Sequence, residues 1–157
     1  MAFVISLLFI ILAFFLLALL RTWQLEHSIN QKRFAAGTIP NPRPDGFYPG
    51  TVFGQKVFWL GKRFDNPNTT GVNLFKNLAG KTVEKYAFKT SIGKGIRDKN
   101  LEVIRIDYNV SGPLWVRPIL DEIVEIAPNH YLGKLQLRVI PGLPLTLVFF
   151  ELNAQSP

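Results

Sequence analysis

The sequence predicts a mainly β protein, a small antiparallel barrel or strongly curved meander sheet preceded by a single transmembrane α-helix. Three observations predict it. Residues 2–20 form one uncharged apolar run, several later segments alternate apolar with polar side chains, and clusters rich in Gly, Pro and Asn separate those segments. A chain of 157 residues suffices for one domain plus an appendage. The expected organisation is a membrane helix at 1–20, a juxtamembrane helix and proline-rich linker at 21–44, a β-barrel-like domain at 45–153 and a tail at 154–157.

The first element, AFVISLLFIILAFFLLALL, has Ser6 as its only hydroxyl. As a helix it covers about 28 Å, close to the hydrocarbon thickness of a bilayer, and satisfies its own backbone polar groups in lipid. A cleavable signal peptide is the rival. Against it, the run exceeds a usual signal core, no Lys or Arg precedes it, and Leu19–Leu20–Arg21 lacks the small residues preferred for cleavage. Arg21, Lys32 and Arg33 follow the span, so the positive-inside rule predicts a single-pass protein with its C-terminal domain on the cytoplasmic or equivalent non-translocated side. Trp23 suits the headgroup layer. The helix is expected to continue through RTWQLEHSINQKRFAA, with Leu25 and Ile29 on one face, and to stop at Gly37.

Pro40, Pro42, Pro44 and Pro49 exclude a helix from 37–49, which reads as a linker or an extended entry into the domain. Short strands and turns follow in TVFGQKVFWLGKRF, then a loop in NPNTTG, and a short helix or irregular turn at 72–78. Thr82 to Lys89 reads as a strand and 91–100 as a glycine-containing loop. Leu101 to Val110 alternates, with Ile104, Ile106, Tyr108 and Val110 opposite Arg105, Asp107 and Asn109. Leu114 to Ile126 reads as a strand interrupted at Pro118. Tyr131, Leu135, Leu137 and Val139 oppose Lys134, Gln136 and Arg138, and 144–152 closes the sheet. Sequential short strands joined by tight turns indicate a meander, which often curls into a barrel and so removes its edges.

Two stretches carry a family resemblance. DGFYPG and FWLGKRFD, with Trp59 and Gly61, resemble the opening motif of GXWXG-type domains, although Phe47 and Tyr48 follow Gly46 where that type has tryptophan. The stretch IDYNVSGPLWVRPILDEIVEIAPNHYLGKLQLR, with PGLPLTLVFFELN after it, is similar to the companion domain of unknown function that follows the motif. The matching features are Asp107–Tyr108, Pro118, Asp121, Gly133 and Leu152, within a resemblance spanning about residues 45–153. The resemblance implies a small lipocalin-like barrel and brings no catalytic residues with it.

Composition narrows the chemistry. Without cysteine there are no disulfides, thiolate metal sites or cysteine nucleophiles. His27 and His130 lie far apart, Asp121, Glu122 and Glu125 match no calcium loop, and Ile92–Gly93–Lys94–Gly95 lacks P-loop spacing, so neither metal nor cofactor is expected. No catalytic residue is assigned. His130 with a nearby carboxylate such as Glu125 is a thin acid–base signature, because no serine sits in a nucleophile context.

Glu122 is the distinctive polar placement, the one charge on the face of Val116, Leu120, Val124 and Ile126. Either this face lines the interior, where Glu122 needs a partner such as Arg117, Arg105 or Arg138, or Pro118 shifts the register and Glu122 lies outside with Asp121 and Glu125. The expected ligand-contacting set is Glu122, Arg117, Arg138 and Tyr131. The formal charge of +7, with Lys85, Lys89, Lys94, Arg97 and Lys99 close together, adds a basic surface beside Trp23 that fits anionic headgroups. No nucleic-acid motif accompanies it.

The function expected from these features is a non-enzymatic, membrane-anchored barrel binding a small apolar ligand or lipid. The alternatives are an accessory subunit of a membrane-protein complex, and a lipid-modifying enzyme using Glu122 or His130. The candidate partners are the lipid bilayer, a small apolar molecule and another membrane protein.

Overall fold

A computed structural model describes residues 2–109 and 112–154. Val110 and Ser111, expected in a strand end and a turn, and tail residues 155–157 lie outside the described residues. Helix α1 (Ala2–Glu26) is long and apolar enough to cross a membrane; its apolar stretch stands clear of the rest of the chain, and its last turns lie on the barrel. It does not run on unbroken to Gly37. Ser28 stops it: its Oγ donates to the Leu25 carbonyl at 2.6 Å and accepts from the Gln31 amide, capping a second short helix, α2 (Ile29–Ala35).

The remainder is a closed antiparallel barrel of eight strands in sequence order, β1 (Gly46–Val52), β2 (Trp59–Asp65), β3 (Thr70–Lys76), β4 (Thr82–Lys94), β5 (Glu102–Asp107), β6 (Ile119–Ala127), β7 (His130–Ile140) and β8 (Leu143–Asn153). Pairing of β1 with β8, Gly50 opposite Leu152, closes it and leaves no free edge. Four local expectations change. Residues 72–78 are largely strand, because Val72 and Leu74 continue the ladder to β2 and β4. The linker ends at Gly46, and β4 runs on to Lys94, paired with Glu102. Residues before Pro118 form a turn, so the proline precedes β6 and does not interrupt it.

Pro49 is tolerated within β1 because it stands where pairing with β2 ends and pairing with β8 has not yet begun. A Cβ at Gly61, where φ is 137°, would lie 2.0 Å from the Tyr48 carbonyl oxygen, so only glycine fits.

In an up-and-down barrel the β1–β2, β3–β4, β5–β6 and β7–β8 connections share one end, here called the mouth, and the others share the far end. The far half of the interior is filled. Tyr48, Phe64, Phe88 and Tyr131 stack edge-on at ring separations of 5.2–5.8 Å, with Ile104, Ile106, Ile123 and Leu152 around them.

The outer wall of β6–β8 is also buried, because the end of α1, α2 and the β4–β5 loop lie on it. Leu25 and Phe34 pack with Val103, Val124, Leu132 and Phe149. Lys134, fully buried, holds Asp98 at 2.7 Å and Glu26 at 3.2 Å. Thr22 donates to the Thr146 carbonyl near the mouth, whereas Arg33 meets Glu151 at 2.8 Å near the far end. The helical segment therefore descends along β8 from mouth to far end, and its apolar run leaves from the mouth side.

Candidate functional site

The mouth half of the barrel encloses a cavity of about 260 Å³. Trp59, Phe75, Tyr86, Trp115, Ile119 and Phe150 are among its walls, with Lys62, Asn73, Tyr108 and Asp121 supplying the polar groups. Strand alternation places these groups. Lys62 lies two residues from Phe64 on β2 and opposite Asn73 on β3, while Asp121 sits two residues from Ile123 on β6 and opposite Ile106.

The four polar side chains form one network, almost wholly removed from water. The Lys62 ammonium donates to Asn73 Oδ1 at 2.8 Å and Tyr108 Oη at 2.5 Å, and lies 2.8 Å from Asp121 Oδ2. Tyr108 in turn donates to Asp121 Oδ2 at 2.6 Å. The Asn73 amide nitrogen donates to Tyr108 Oη and the Tyr86 carbonyl, and Trp59 Nε1 donates to Asn73 Oδ1 at 3.0 Å. The rings of Trp59, Phe88, Tyr108 and Phe150 surround the ammonium at 5.1–5.5 Å from their centroids.

Burial pushes the Lys62 ammonium below its ordinary value, and the Asp121 carboxylate beside it opposes that fall. Burial, reinforced by Asp121, pushes the Tyr108 phenol well above its ordinary value, so it stays protonated and donates. Every hydrogen of Lys62 is committed. Asp121 Oδ1 is not: it is buried without a hydrogen-bond partner. Asp121 itself lines the chamber, so this unpartnered oxygen belongs to the chamber's wall. Among the described residues that line the chamber there is no serine, threonine, cysteine or histidine.

The sequence-predicted residues fall elsewhere, apart from Tyr131. That side chain is inside the barrel, in the packed far half against Tyr48. Glu122 points outward, as one of the two alternatives had it, but under covering elements and without Asp121 beside it. Its face is the outer one, buried by covering elements, and it is Asp121 that faces inward. Glu122 accepts from the Ile96 amide and from Gln136 Nε2, each at 2.6 Å, and burial raises its pKa despite the Ile96 hydrogen bond. Arg117 bonds the Gly112 carbonyl and Arg138 pairs with Asp107 at 3.1 Å; neither lines the cavity.

His130 contacts Glu151 at 3.0 Å, not Glu125, and neither His130 nor Glu122 lines the cavity. Burial alone would raise Glu151, but hydrogen bonds from Arg33 and His130 hold it below its ordinary value. Lys85, Lys89 and Lys94 are spread along β4, with Lys99 and Arg97 on the loop beyond. Arg97 is engaged with Glu26 and the Pro144 carbonyl. Trp23 is exposed and stacks on His27.

Sequence reasoning missed all four polar residues of the cavity, Lys62, Asn73, Tyr108 and Asp121. The available signal was parity, since Lys62 shares a face with Phe64, as Asp121 does with Ile123.

No known family profile and no curated protein matches the chain. Among solved structures, a protein from Thermomonospora curvata superposes with a TM-score of 0.53 at 16% identity, covering 76% of this chain and 80% of that one. That likeness shows the fold alone.

Proposed function

We propose that this protein is a non-enzymatic, membrane-anchored binding barrel whose interior holds a small apolar molecule carrying one hydrogen-bond donor. The observation that carries this reading is the unpartnered Asp121 Oδ1 at the wall of an apolar cavity. A mostly apolar chamber with a few fixed polar groups is how proteins orient small ligands. A hydroxyl or amide N–H on the ligand would satisfy Asp121, while the surrounding rings take its hydrocarbon. At about 260 Å³ the chamber is below the usual range for drug-sized ligands, which selects a compact molecule or one end of a longer one. α1 serves as the anchor, with the barrel on the cytoplasmic or equivalent side, as the basic flank favours.

The test is mass analysis of small molecules retained by the detergent-extracted full chain. Asp121→Asn should lose most of the retained ligand. Leu135→Phe, which adds bulk to the cavity wall, should exclude it while the barrel stays folded. Glu122→Gln, outside the cavity, should retain it. Equal retention by wild type, Asp121→Asn and Leu135→Phe would overturn the reading.

A further inference from the structure

We infer that the barrel meets the bilayer mouth-first, its apolar mouth loops embedded at the interface, so that the cavity draws its ligand directly from the membrane. This rests on α1 being the anchor and on the cavity being a binding site, and adds the orientation and the ligand class.

The carrying observation is where the apolar run ends in space. Arg21, the first charge after it, sits with its guanidinium 5.5 Å from the ring centroid of Phe53, in the β1–β2 connection at the mouth. The boundary between lipid and water on α1 is therefore level with the mouth loops.

Those loops are dressed for that boundary. Phe53 and Phe58 in the β1–β2 connection, Leu78 in β3–β4, Leu114 and Trp115 in β5–β6, and Ile140 at the end of β7 are all exposed, Leu78 fully so. Among the described residues, the far-end connections at 66–69 and 128–129 present no large exposed hydrophobic, and neither does 95–101, which folds back along the outer wall toward the β7–β8 turn. A cluster of exposed apolar residues concentrated at one end marks a contact surface. The span leaving from that same end identifies the occupant as the bilayer. Charge agrees: the mouth connections at 53–58, 77–81, 108–118 and 141–142 contain Lys56, Lys81 and Arg117 and no acidic residue, a composition suited to anionic headgroups.

Trp115 is 65% exposed and also lines the cavity, so the apolar rim and the chamber are continuous. A ligand passing between them never crosses water. The ligand class is then a membrane-dissolved amphiphile with an apolar body and a hydroxyl or N–H donor for Asp121.

The absence of cysteine makes the test direct. Phe58→Cys, Leu78→Cys and, at the far end, Asn68→Cys are each labelled with bimane in the full chain, reconstituted alone into vesicles of phosphatidylcholine and phosphatidylglycerol. Brominated acyl chains should quench the labels at 58 and 78 and leave the label at 68 bright. If the chain resists alkaline carbonate extraction but 58 and 78 stay as bright as 68, the anchor stands and the mouth contact is overturned; the rim would then await a protein partner. If alkaline carbonate releases the chain, anchor and mouth contact fail together. Ligand retention by Asp121→Asn is read separately, so a failed mouth contact remains distinguishable from a failed binding site.

Discussion

At the scale of single residues, two of the barrel's buried ionisable sites stand in opposite relations to the cavity. Lys62 and Asp121 are committed to each other inside the cavity. Removing one partner of a buried pair strands the other charge, so Lys62→Met should cost about 3–5 kcal/mol in chemical denaturation. Lys62→Met combined with Asp121→Leu should recover most of that loss, because an apolar pair needs no solvation. Equal losses in the single and double variants would mean the pair is not the stabilising unit.

Glu122 behaves differently. Its folded pKa lies above the ordinary value of 4.5, so between the two the native state holds a proton that the unfolded chain has released. Stability therefore falls as pH rises through that window. Glu122→Gln removes the titration and keeps an acceptor for the Ile96 amide, and its new amide can donate to Gln136 Oε1, which lacks a partner. The variant should lie within about 1 kcal/mol of wild type at low pH and gain on it toward neutrality, read by denaturation across that range.

Among elements, the join between α1 and the barrel matters most, because it fixes where the apolar span leaves. Glu26, Lys134 and Asp98 clamp the end of α1 and the β4–β5 loop to β7, and Thr146 of β8 donates to Glu26. Lys134 also lies over the rings of Phe34 and Phe149. Lys134→Met leaves Glu26 to Arg97 and Thr146 and Asp98 to Gln31, without the buried cation between them, and should cost about 3 kcal/mol. Hydrogen exchange should show the loss concentrated in α2 and residues 95–101, with the β1–β3 ladders unchanged. Uniform loss across the barrel would show that the clamp is part of the global folding unit and no local latch.

For the molecule as a whole, closure of the meander decides what the ends are. An open sheet would expose two edges and dilute the difference between its loops. The barrel instead gathers alternate connections at each end, so exposed Phe58, Leu78 and Leu114, distant in sequence, share one rim. The interior is divided along the same axis, packed with aromatics at the far end and hollow at the mouth. The combination explains how Phe64 and Phe88 pack one end of the interior while the other stays open.

The sequence by itself determined the architecture. Uninterrupted hydrophobicity at 2–20 and period-two alternation in strands such as 101–108 and 131–138 are local properties, and they fixed helix and strands wherever the pattern was long. It faltered at 72–78 and before Pro118, where short apolar runs do not reveal their period. Tertiary structure alone decided the site. Glu122 looked like an interior charge because its neighbours Leu120 and Val124 are apolar. Those residues are apolar because a helix and a loop cover the barrel's outside, which makes both faces of β6 buried and erases the contrast that would tell them apart. Lys62 and Asp121 meet across the interior only once β2 and β6, four strands apart, are brought face to face by closure.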